Sequence, residues 1–160
     1  MPSNPGKKFE EDIKKSVPNW CWIYRFKDGT ANFAGTKNEN VRFQAHNICD
    51  FMIMAKERLF LLELKSHKGA SIPFNCVRKT QLREMAEINY SNIKAFFLFN
   101  FRDKERTYAI GAITLKKFIE NADRKSIPIN WCKDNGIEIT SEKKRSRFRY
   151  DLEALLNYSV

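Results

Sequence analysis

"ICDFMIMAKERLFLLELKSHKG", residues 48–69, contains two apolar runs that are separated by the short segment AKER. Apolar runs of this length on either side of a polar turn are typical of a β-hairpin. Three charged residues, Asp50, Glu63 and Lys65, interrupt the two runs. The hairpin would bring Asp50, near the start of the first strand, alongside Glu63, near the end of the second.

The three charged side chains are therefore predicted to form one cluster. Side chains alternate between the two faces of a strand, so Glu63 and Lys65 share one face, while Leu62 and Leu64 share the other. Two carboxylates this close on an apolar sheet repel each other and lose hydration unless a cation lies between them. Mg²⁺ or Mn²⁺ fits such a place, with one or two carboxylates, the backbone carbonyl of Leu64 and several waters as ligands. The ion could polarise a phosphate oxygen while Lys65 positions the attacking water, which suits phosphodiester hydrolysis.

The spacing of the three residues leaves a second interpretation open. Asp50 can be a strand-end acid, with Glu63 and Lys65 as a solvated pair, because a short D…ExK pattern often arises by chance. However, the surrounding LFLLELK lacks the simple alternation of a strand with one solvated face. This context favours the metal site.

Length and charge narrow the class of protein. A chain of 160 residues predicts a single domain over 1–160, and its formal net charge of +10 indicates a polyanionic partner such as nucleic acid. The sequence contains no apolar run long enough to span a membrane and no apolar signal-peptide core, so we expect a cytoplasmic protein. The four cysteines form no CxxC pair, which argues against a structural zinc site and favours reduced thiols.

Hydrophobic periodicity and capping signals predict the element order αβββαββα. The N-terminal helix is expected to be capped by Ser3 or Asn4, a later helix by Thr114 and the last helix by Asp151. Residues 27–47 are predicted to be a loop, and 141–160 a basic, irregular segment that leads into the last helix. The predicted elements are a helix at 3–17, strands at 20–26, 48–54 and 59–65, a helix at 77–90, strands at 93–101 and 106–113, and helices at 114–122 and 151–159.

The arrangement Asp50…Glu63-Leu64-Lys65 resembles the PD-(D/E)xK nuclease motif, and the chain as a whole resembles the RecU-type Holliday-junction resolvases of bacteria and their phages. Six segments carry this resemblance in the family's order: NPGKKFEEDI, CDF with LELKS, SIPFN, TQLREM, RKSIP and YDLEALL. The resemblance implies an α/β fold with a restriction-endonuclease-like core, in which helices flank a central mixed β-sheet. It also identifies residues 27–47 with a shortened stalk, which matches the family poorly between Gly29 and Asn47.

The resemblance also implies roles for individual residues. Asp50 and Glu63 correspond to metal ligands and Lys65 to the catalytic lysine. Glu10 matches an acid that the family carries on its first helix, facing the active site. Gln81 matches a glutamine on the helix after the motif that faces the site in related nucleases. Mg²⁺ is the expected cofactor, with Mn²⁺ as a substitute.

Two basic segments are candidates for DNA phosphate contacts. The denser one contains Lys143, Lys144, Arg145 and Arg147, and the other contains Lys7 and Lys8 on the first helix. A run of charge is often only a solvated face. Contacts of this kind set affinity and salt dependence without reading sequence.

These inferences predict a metal-dependent, structure-selective DNA endonuclease that resolves four-way (Holliday) junctions in recombination and repair. Two alternatives remain: a phage or restriction-type nuclease of this fold that acts on other DNA structures, and a non-catalytic junction-binding accessory protein. A two-fold symmetric junction needs two cuts, so the substrate and the family together predict a homodimer. The expected partners are branched DNA and a second copy, with no membrane and no small-molecule cofactor.

Overall fold

The computed structural model describes residues 4–27 and 46–158. These residues contain a six-stranded mixed sheet, two small two-stranded sheets and five helices. The helices are α1 Pro5–Ser16, α2 Lys79–Ala86, α3 Ala112–Asn121, α4 Ile129–Asn135 and α5 Glu153–Leu156. The strands are β1 Trp22–Arg25, β2 Phe51–Ala55, β3 Arg58–His67, β4 Ser71–Pro73, β5 Ile93–Phe101, β6 Arg106–Gly111, β7 Ser126–Pro128, β8 Ile137–Glu138, β9 Ser141–Lys144 and β10 Arg147–Tyr150.

The main sheet has the strand order β1-β2-β3-β5-β6-β8. Strands β3 and β5 run parallel, and every other neighbouring pair in this sheet is antiparallel. β5 is a nearly continuous apolar run, IKAFFLFNF, because a central strand is covered on both faces. The predicted α/β fold with a central mixed sheet between helices is confirmed.

Helix α1 begins where the sequence predicts. The side chain of Asn4 accepts a hydrogen bond from the amide of Gly6 at 3.0 Å, and Pro5 occupies the first turn. Phe9 and Ile13, one helical turn apart, are buried against one face of the sheet together with Phe51, Ile53, Leu62 and Leu64. The other face packs against α2 and α3 through Leu82, Met85 and Leu115. The two layers of apolar side chains hold β3 in the middle of the molecule.

Several boundaries differ from the prediction. Helix α3 begins at Ala112 with Gly111 as its N-cap, so the prediction that Thr114 caps this helix is wrong. The last helix comprises only Glu153–Leu156 and has Leu152 at its N-cap, so the prediction that Asp151 caps this helix is wrong. The Asp151 side chain still accepts a hydrogen bond from the Glu153 amide at 3.0 Å. The predicted loop at 27–47 lies largely outside the described residues.

Six elements were missing from the predicted order: the strands β4, β7, β8, β9 and β10 and the helix α4. The two Ser-Ile-Pro segments, 71–73 and 126–128, pair with each other as β4 and β7. The basic segment is not irregular, because 141–144 and 147–150 form the hairpin β9-β10. Helix α4 lies between these additions. Such short strands lack a periodic signal, because their pairing depends on a partner that is distant in sequence.

No helix in the described ranges has both the length and the apolar character needed to cross a bilayer.

Candidate active site

Asp50 lies immediately before β2, where the pairing between β2 and β3 ends. The register matches Phe51 with Leu62, and the Asp50 amide donates to the Leu62 carbonyl at 3.1 Å. Two residues further along β3, the Leu64 amide donates to Oδ2 of Asp50 at 2.7 Å. The Asp50 side chain thus takes the place that a backbone carbonyl of β2 would occupy. Because a strand residue directs its N–H and C=O to the same side, the Leu64 carbonyl also faces the side of Asp50.

Glu63 is held from two directions. Lys65 Nζ lies 2.6 Å from Glu63 Oε1, and Gln81 Nε2 on α2 donates to Glu63 Oε2 at 3.1 Å. Glu63 is only 2% exposed, while the Lys65 side chain is 20% exposed. A buried carboxylate of this kind is not half of a solvated surface pair. The burial therefore argues against the second interpretation of the D…ExK spacing.

Asp50, Glu63 and Glu10 form an acidic cluster in which the negative charges repel one another. Burial, followed by the negative charges of Glu63 and Glu10, raises the pKa of Asp50 from its ordinary 3.8 to about 7. The hydrogen bond from Leu64 and the charge of Lys65 oppose this shift without cancelling it. Ionisation of all the carboxylates in the cluster is therefore unfavourable, and a bound cation would stabilise the ionised form.

Glu10 lies across from the hairpin on α1. Its Oε2 accepts two hydrogen bonds from Arg25 on β1, from Nε at 2.9 Å and from one terminal guanidinium nitrogen at 2.6 Å. Sequence reasoning did not single out Arg25. Arg25 is the one basic residue in the otherwise uncharged strand WCWIYRF, which could have drawn attention to it. That its partner is Glu10 could be known only from the fold.

Cys49 precedes Asp50 and is fully enclosed. Burial, with Glu63 and Asp50 nearby, raises the pKa of its thiol to about 12. Its Sγ lies 3.2 Å from the Phe51 carbonyl. Cys49 is therefore a neutral packing group at neutral pH. Of the thiols expected to be mostly buried, Cys49 and Cys132 are buried, whereas Cys21 and Cys76 are partly exposed.

The donor set fits a hard divalent cation better than zinc. Residues 4–27 and 46–158 contain no group of three or more His, Cys, Asp or Glu side chains arranged around one point, as a structural zinc site needs. Mg²⁺ is instead held by one or two carboxylates and retains several waters. Asp50, Glu63 and the Leu64 carbonyl provide that kind of incomplete oxygen shell.

Two buried polar atoms have no hydrogen-bond partner among the described residues: Gln81 Oε1 and His67 Nδ1. Gln81 is 7% exposed, and its amide nitrogen is shared between Glu63 and the Asn47 carbonyl at 3.2 Å. These two acceptors fix the amide orientation, since the reverse orientation would direct an oxygen at a carboxylate. The Oε1 atom is left as an acceptor beside the acidic cluster.

The basic candidates differ in their surroundings. Lys7 lines a cavity of about 290 Å³ with Glu10 and Arg25. Lys8 lines a second one, of about 230 Å³, with Arg102 and Ser66, the residue after Lys65. Arg102 was not predicted from the sequence, where it lies in the turn RDKE. Lys8 is therefore close to the end of β3, and Lys7 is close to Glu10.

The hairpin β9-β10 carries the second set of basic candidates. Lys143 and Lys144 are exposed and pair with surface acids, and Arg145 occupies the turn with φ of 59°. Arg147 differs, because its Nε contacts Asp12 Oδ1 at 2.5 Å and another of its nitrogens contacts Glu11 at 2.9 Å. Asp12 is 3% exposed. Arg147 thus links the hairpin to α1, the helix that carries Glu10.

The chain is similar to known proteins in sequence and in fold. The sequence model of the family described as "RecU: Recombination protein U" matches residues 4–150. The chain is 33% identical over 170 residues to the SPbeta prophage-derived uncharacterized protein YotM of Bacillus subtilis (strain 168), spanning 96% of this chain and 85% of the relative.

A solved structure shares the fold. It is that of Hjc, a Holliday junction resolvase from Archaeoglobus fulgidus, an archaeal hyperthermophile, with a TM-score of 0.51 and 13% identity. The likeness covers 83% of this chain and 95% of Hjc. Since the RecU model spans nearly the whole sequence, the chain belongs to the RecU family of recombination proteins, the family of Holliday-junction resolvases that its motifs predicted.

Proposed function

We propose that this RecU-family protein is a divalent-metal-dependent endonuclease that cuts four-way DNA junctions through the cluster Asp50, Glu63 and Lys65. The observation that carries the proposal is the burial of Glu63, which is 2% exposed, next to Asp50, whose carboxylate is fixed by the Leu64 amide at 2.7 Å. The same burial and the second carboxylate raise the pKa of Asp50. A buried pair of acids is unfavourable in the free protein and becomes favourable when a cation is bound. The arrangement is therefore suited to hold a metal against a phosphodiester.

Asp50, Glu63 and the Leu64 carbonyl would hold Mg²⁺, and Mn²⁺ could replace it. When bound, the ion would polarise a phosphate oxygen and lower the pKa of a bound water. Asp50 is oriented for this task by the Leu64 amide, and Glu63 by Gln81.

Lys65 is the cation nearest the reacting phosphate in this proposal. Its ammonium contacts Glu63 at 2.6 Å yet remains partly exposed, so it can reach both the metal ligand and an incoming phosphate oxygen. There it would neutralise developing negative charge or hold the attacking water. Gln81 Oε1, with no partner among the described residues, can accept a hydrogen bond from that water. Glu10, held by Arg25, would orient a further water or add a ligand.

DNA phosphates would be contacted on two sides of this cluster. Lys7 and Lys8 border cavities next to Glu10 and the end of β3. Lys143, Lys144 and Arg145 project from the hairpin packed on the same helix. Arg147 is assigned a structural role instead, because its guanidinium is engaged by Asp12 and Glu11. Such contacts would hold branched DNA without reading its sequence.

The protein would act as a homodimer, since a four-way junction is resolved by two symmetric cuts. The membership in the RecU family supports a role in recombination. Hjc, which shares the fold, is itself a Holliday junction resolvase. Together these relationships favour four-way junctions over flaps, duplex ends or single strands.

A cleavage panel tests the proposal. The purified protein is incubated with Mg²⁺ and labelled four-way junction, flap, linear duplex and single strand under one salt condition. Asp50→Asn, Glu63→Gln and Lys65→Ala are expected to lose cleavage and to retain junction binding. Glu57→Gln removes a carboxylate from the exposed turn of the same hairpin and serves as the matched control, which should cut like the parent.

Each alternative has its own outcome. Equal cutting of all four substrates would identify a general nuclease that does not select four-way junctions. Junction binding in EDTA without cleavage in any divalent metal would identify a non-catalytic accessory protein. Parent-like cutting by all three variants would show that the active site lies elsewhere.

A further inference from the structure

A polar recess lies at the end of β3, on the side of the sheet that packs against α1. It is lined by Lys8 of α1, Ser66 of β3, Asn100 of β5 and Arg102, which directly follows β5, together with residues of the β9-β10 hairpin. Its volume is about 230 Å³. We call it the β3-end recess. Because Ser66 is the residue after Lys65, the recess adjoins the proposed catalytic cluster.

A row of polar side chains crosses the sheet at this recess. Ser66 pairs with Asn100, and Asn100 pairs with Thr107 on β6. The Ser66 hydroxyl donates to Asn100 Oδ1 at 2.9 Å, and Asn100 Nδ2 donates to Thr107 Oγ1 at 3.0 Å. Asn100 is only 8% exposed. An asparagine amide has two N–H donors, so one N–H of Asn100 is left that no residue in the described part of the chain accepts.

The acids that line the recess already have cationic partners. Asp12 is bonded to Arg147, whose Nε lies 2.5 Å from its Oδ1. Glu105 pairs with Lys143 at 3.0 Å. Neither carboxylate is therefore left to neutralise a further cation.

The two cations that line the recess are uncompensated. Among residues 4–27 and 46–158, neither Lys8 nor Arg102 forms an ion pair. Arg102 makes one long contact, from a terminal guanidinium nitrogen to the Ser66 carbonyl at 3.4 Å. A guanidinium carries five N–H donors, so most of this group stays open to a ligand. Two free cations beside neutral donors make a site for an anion with several oxygens.

We propose that the β3-end recess binds one non-scissile phosphate of the DNA strand that is cut, and that Lys8 and Arg102 hold this phosphate. The inference rests on the proposed function for the substrate and on the recess for the place of contact. Arg102 would act as a positioning residue, because it fixes the strand across Asp50 and Lys65 without touching the reacting atoms. A planar guanidinium suits this task, since its paired N–H groups match two phosphate oxygens.

The position of the recess relates the bound phosphate to the cut. Lys65 pairs with Phe99, and Arg102 follows Phe99 by three residues. At about 3.3 Å per residue and about 4.8 Å between strands, the backbones of Lys65 and Arg102 are roughly 11 Å apart. One strand of duplex DNA carries a phosphate about every 3.4 Å along the axis. The recess is therefore expected to hold a phosphate within about three nucleotides of the scissile one.

Methylphosphonate scanning of a four-way junction tests the proposal. Each phosphate near the branch point is replaced in turn by an uncharged methylphosphonate, and binding to the full chain is measured in EDTA, so that no cleavage is needed. At one position the replacement should weaken binding to the parent about tenfold, as loss of a hydrogen bond between charged groups does. Arg102→Gln should bind the unmodified junction about tenfold more weakly and should no longer respond to that replacement.

The same turn supplies the matched control. Lys104→Gln removes one exposed positive charge two residues from Arg102 and should keep the affinity and the scan of the parent. Lys8→Gln should reduce the effect of the same methylphosphonate that Arg102→Gln abolishes. Arg102→Lys, which retains the charge without the paired donors, should fall between Arg102→Gln and the parent.

Cleavage kinetics in Mg²⁺ separate positioning from catalysis. Arg102→Gln should raise the protein concentration that gives the half-maximal rate about tenfold, and the rate at saturation should stay within about threefold of the parent. Urea denaturation should show the same stability for Arg102→Gln and Lys104→Gln, because neither side chain is in an ion pair with a described residue. Loss of the saturated rate with unchanged half-saturation would overturn the positioning role.

The binding scan also has outcomes that refute the site. An Arg102→Gln variant that responds to every methylphosphonate as the parent does would show that Arg102 holds no particular phosphate. Equal weakening of binding by Lys104→Gln would reduce the effect to net charge.

Binding and cleavage fail independently. A parent that shows the Arg102-dependent position in EDTA yet cuts no DNA would refute the nuclease and leave the phosphate site standing. A parent that cuts junctions but has no such position would do the reverse.

Discussion

Asp50 Oδ2 accepts the Leu64 amide at 2.7 Å, so the first acid of the motif is bonded to the backbone between the other two charged residues. This contact keeps the Asp50 carboxylate beside Glu63, although each negative charge disfavours the other. The predictions below follow from the way in which these charges are balanced.

Asp50→Asn should abolish Mg²⁺ binding and raise the stability of the metal-free protein at pH 8. Asparagine keeps an oxygen that can accept the Leu64 amide, and it removes a charge that burial and Glu63 destabilise. We expect a gain of about 2 kcal/mol in the free energy of unfolding, which is less than the full pKa shift corresponds to because solvent screens part of it. Urea denaturation in EDTA measures this change in the free energy of unfolding. Glu57→Gln should change stability by less than about 0.5 kcal/mol, and an equal gain there would contradict the explanation.

The pH dependence of stability has a definite sign. The pKa of Asp50 is about 7 in the folded protein and 3.8 ordinarily, so the folded state binds its proton more tightly. The resulting stabilisation is fully present below pH 3.8 and is lost as pH rises through about 7. The difference in unfolding free energy between the metal-free parent and Asp50→Asn should therefore widen from about pH 4 to pH 8. A constant difference across that range would disprove the shift.

Metal binding should compete with the proton on Asp50. Isothermal titration with Mg²⁺ is expected to show weaker binding at pH 6 than at pH 8, and proton release that is small at pH 8 and grows as the pH falls towards 6. The cleavage rate at low Mg²⁺ should rise over the same interval, and its midpoint should move to lower pH as Mg²⁺ is increased. Proton release that does not vary with pH would argue against Asp50 as a ligand.

Lys65→Ala should reduce both stability and cleavage. It leaves the buried Glu63 carboxylate with Gln81 as its remaining described partner, so the metal-free protein should lose about 1–3 kcal/mol of unfolding free energy. The cleavage rate should fall about 100-fold or more at saturating Mg²⁺, since a charge that stabilises the transition state is removed. Saturating Mg²⁺ should restore stability but not the rate. Restoration of both would assign Lys65 a purely structural role.

Arg147 and Arg145, on the same hairpin, should behave differently. Arg147→Ala leaves Asp12 buried without its guanidinium and should destabilise the protein by about 2–4 kcal/mol. Arg145→Ala should leave stability nearly unchanged and lower the salt dependence of junction affinity by about 0.9 in the slope of log K against log salt, for one lost phosphate contact. Chemical denaturation and binding at several salt concentrations distinguish the two effects. If the two variants changed stability and salt dependence equally, the assignment of a structural role to Arg147 and of a phosphate contact to Arg145 would be contradicted.

Local patterns were sufficient to predict five of the six strands of the main sheet and the cluster of charged residues. In the hairpin from 48 to 65, successive side chains point to opposite faces of the sheet, which fixes the residues that share a face. The apolar run of β5 predicts a central strand. Helix α1 could be predicted because Asn4, Pro5, Phe9 and Ile13 combine a cap with helical spacing. The same register predicts that Asp50, Glu63 and Lys65 form one cluster, and the family resemblance supplied their expected roles. These features depend on neighbours within one element or one hairpin.

Other features depend on segments that are distant in the sequence. The pairing of β4 with β7, the bond between Arg25 and Glu10, and the contact of Gln81 with Glu63 join residues 15 or more positions apart. The sequence specified that Glu63 and Lys65 share a strand face, but a buried ion pair and a solvated pair have the same spacing. The tertiary structure buries Glu63 and Asp50, and the burial of Asp50, together with the charge of Glu63, raises the pKa of Asp50. Burial arises from the whole fold, and burial is what turns two acids and a lysine into a site that favours a cation.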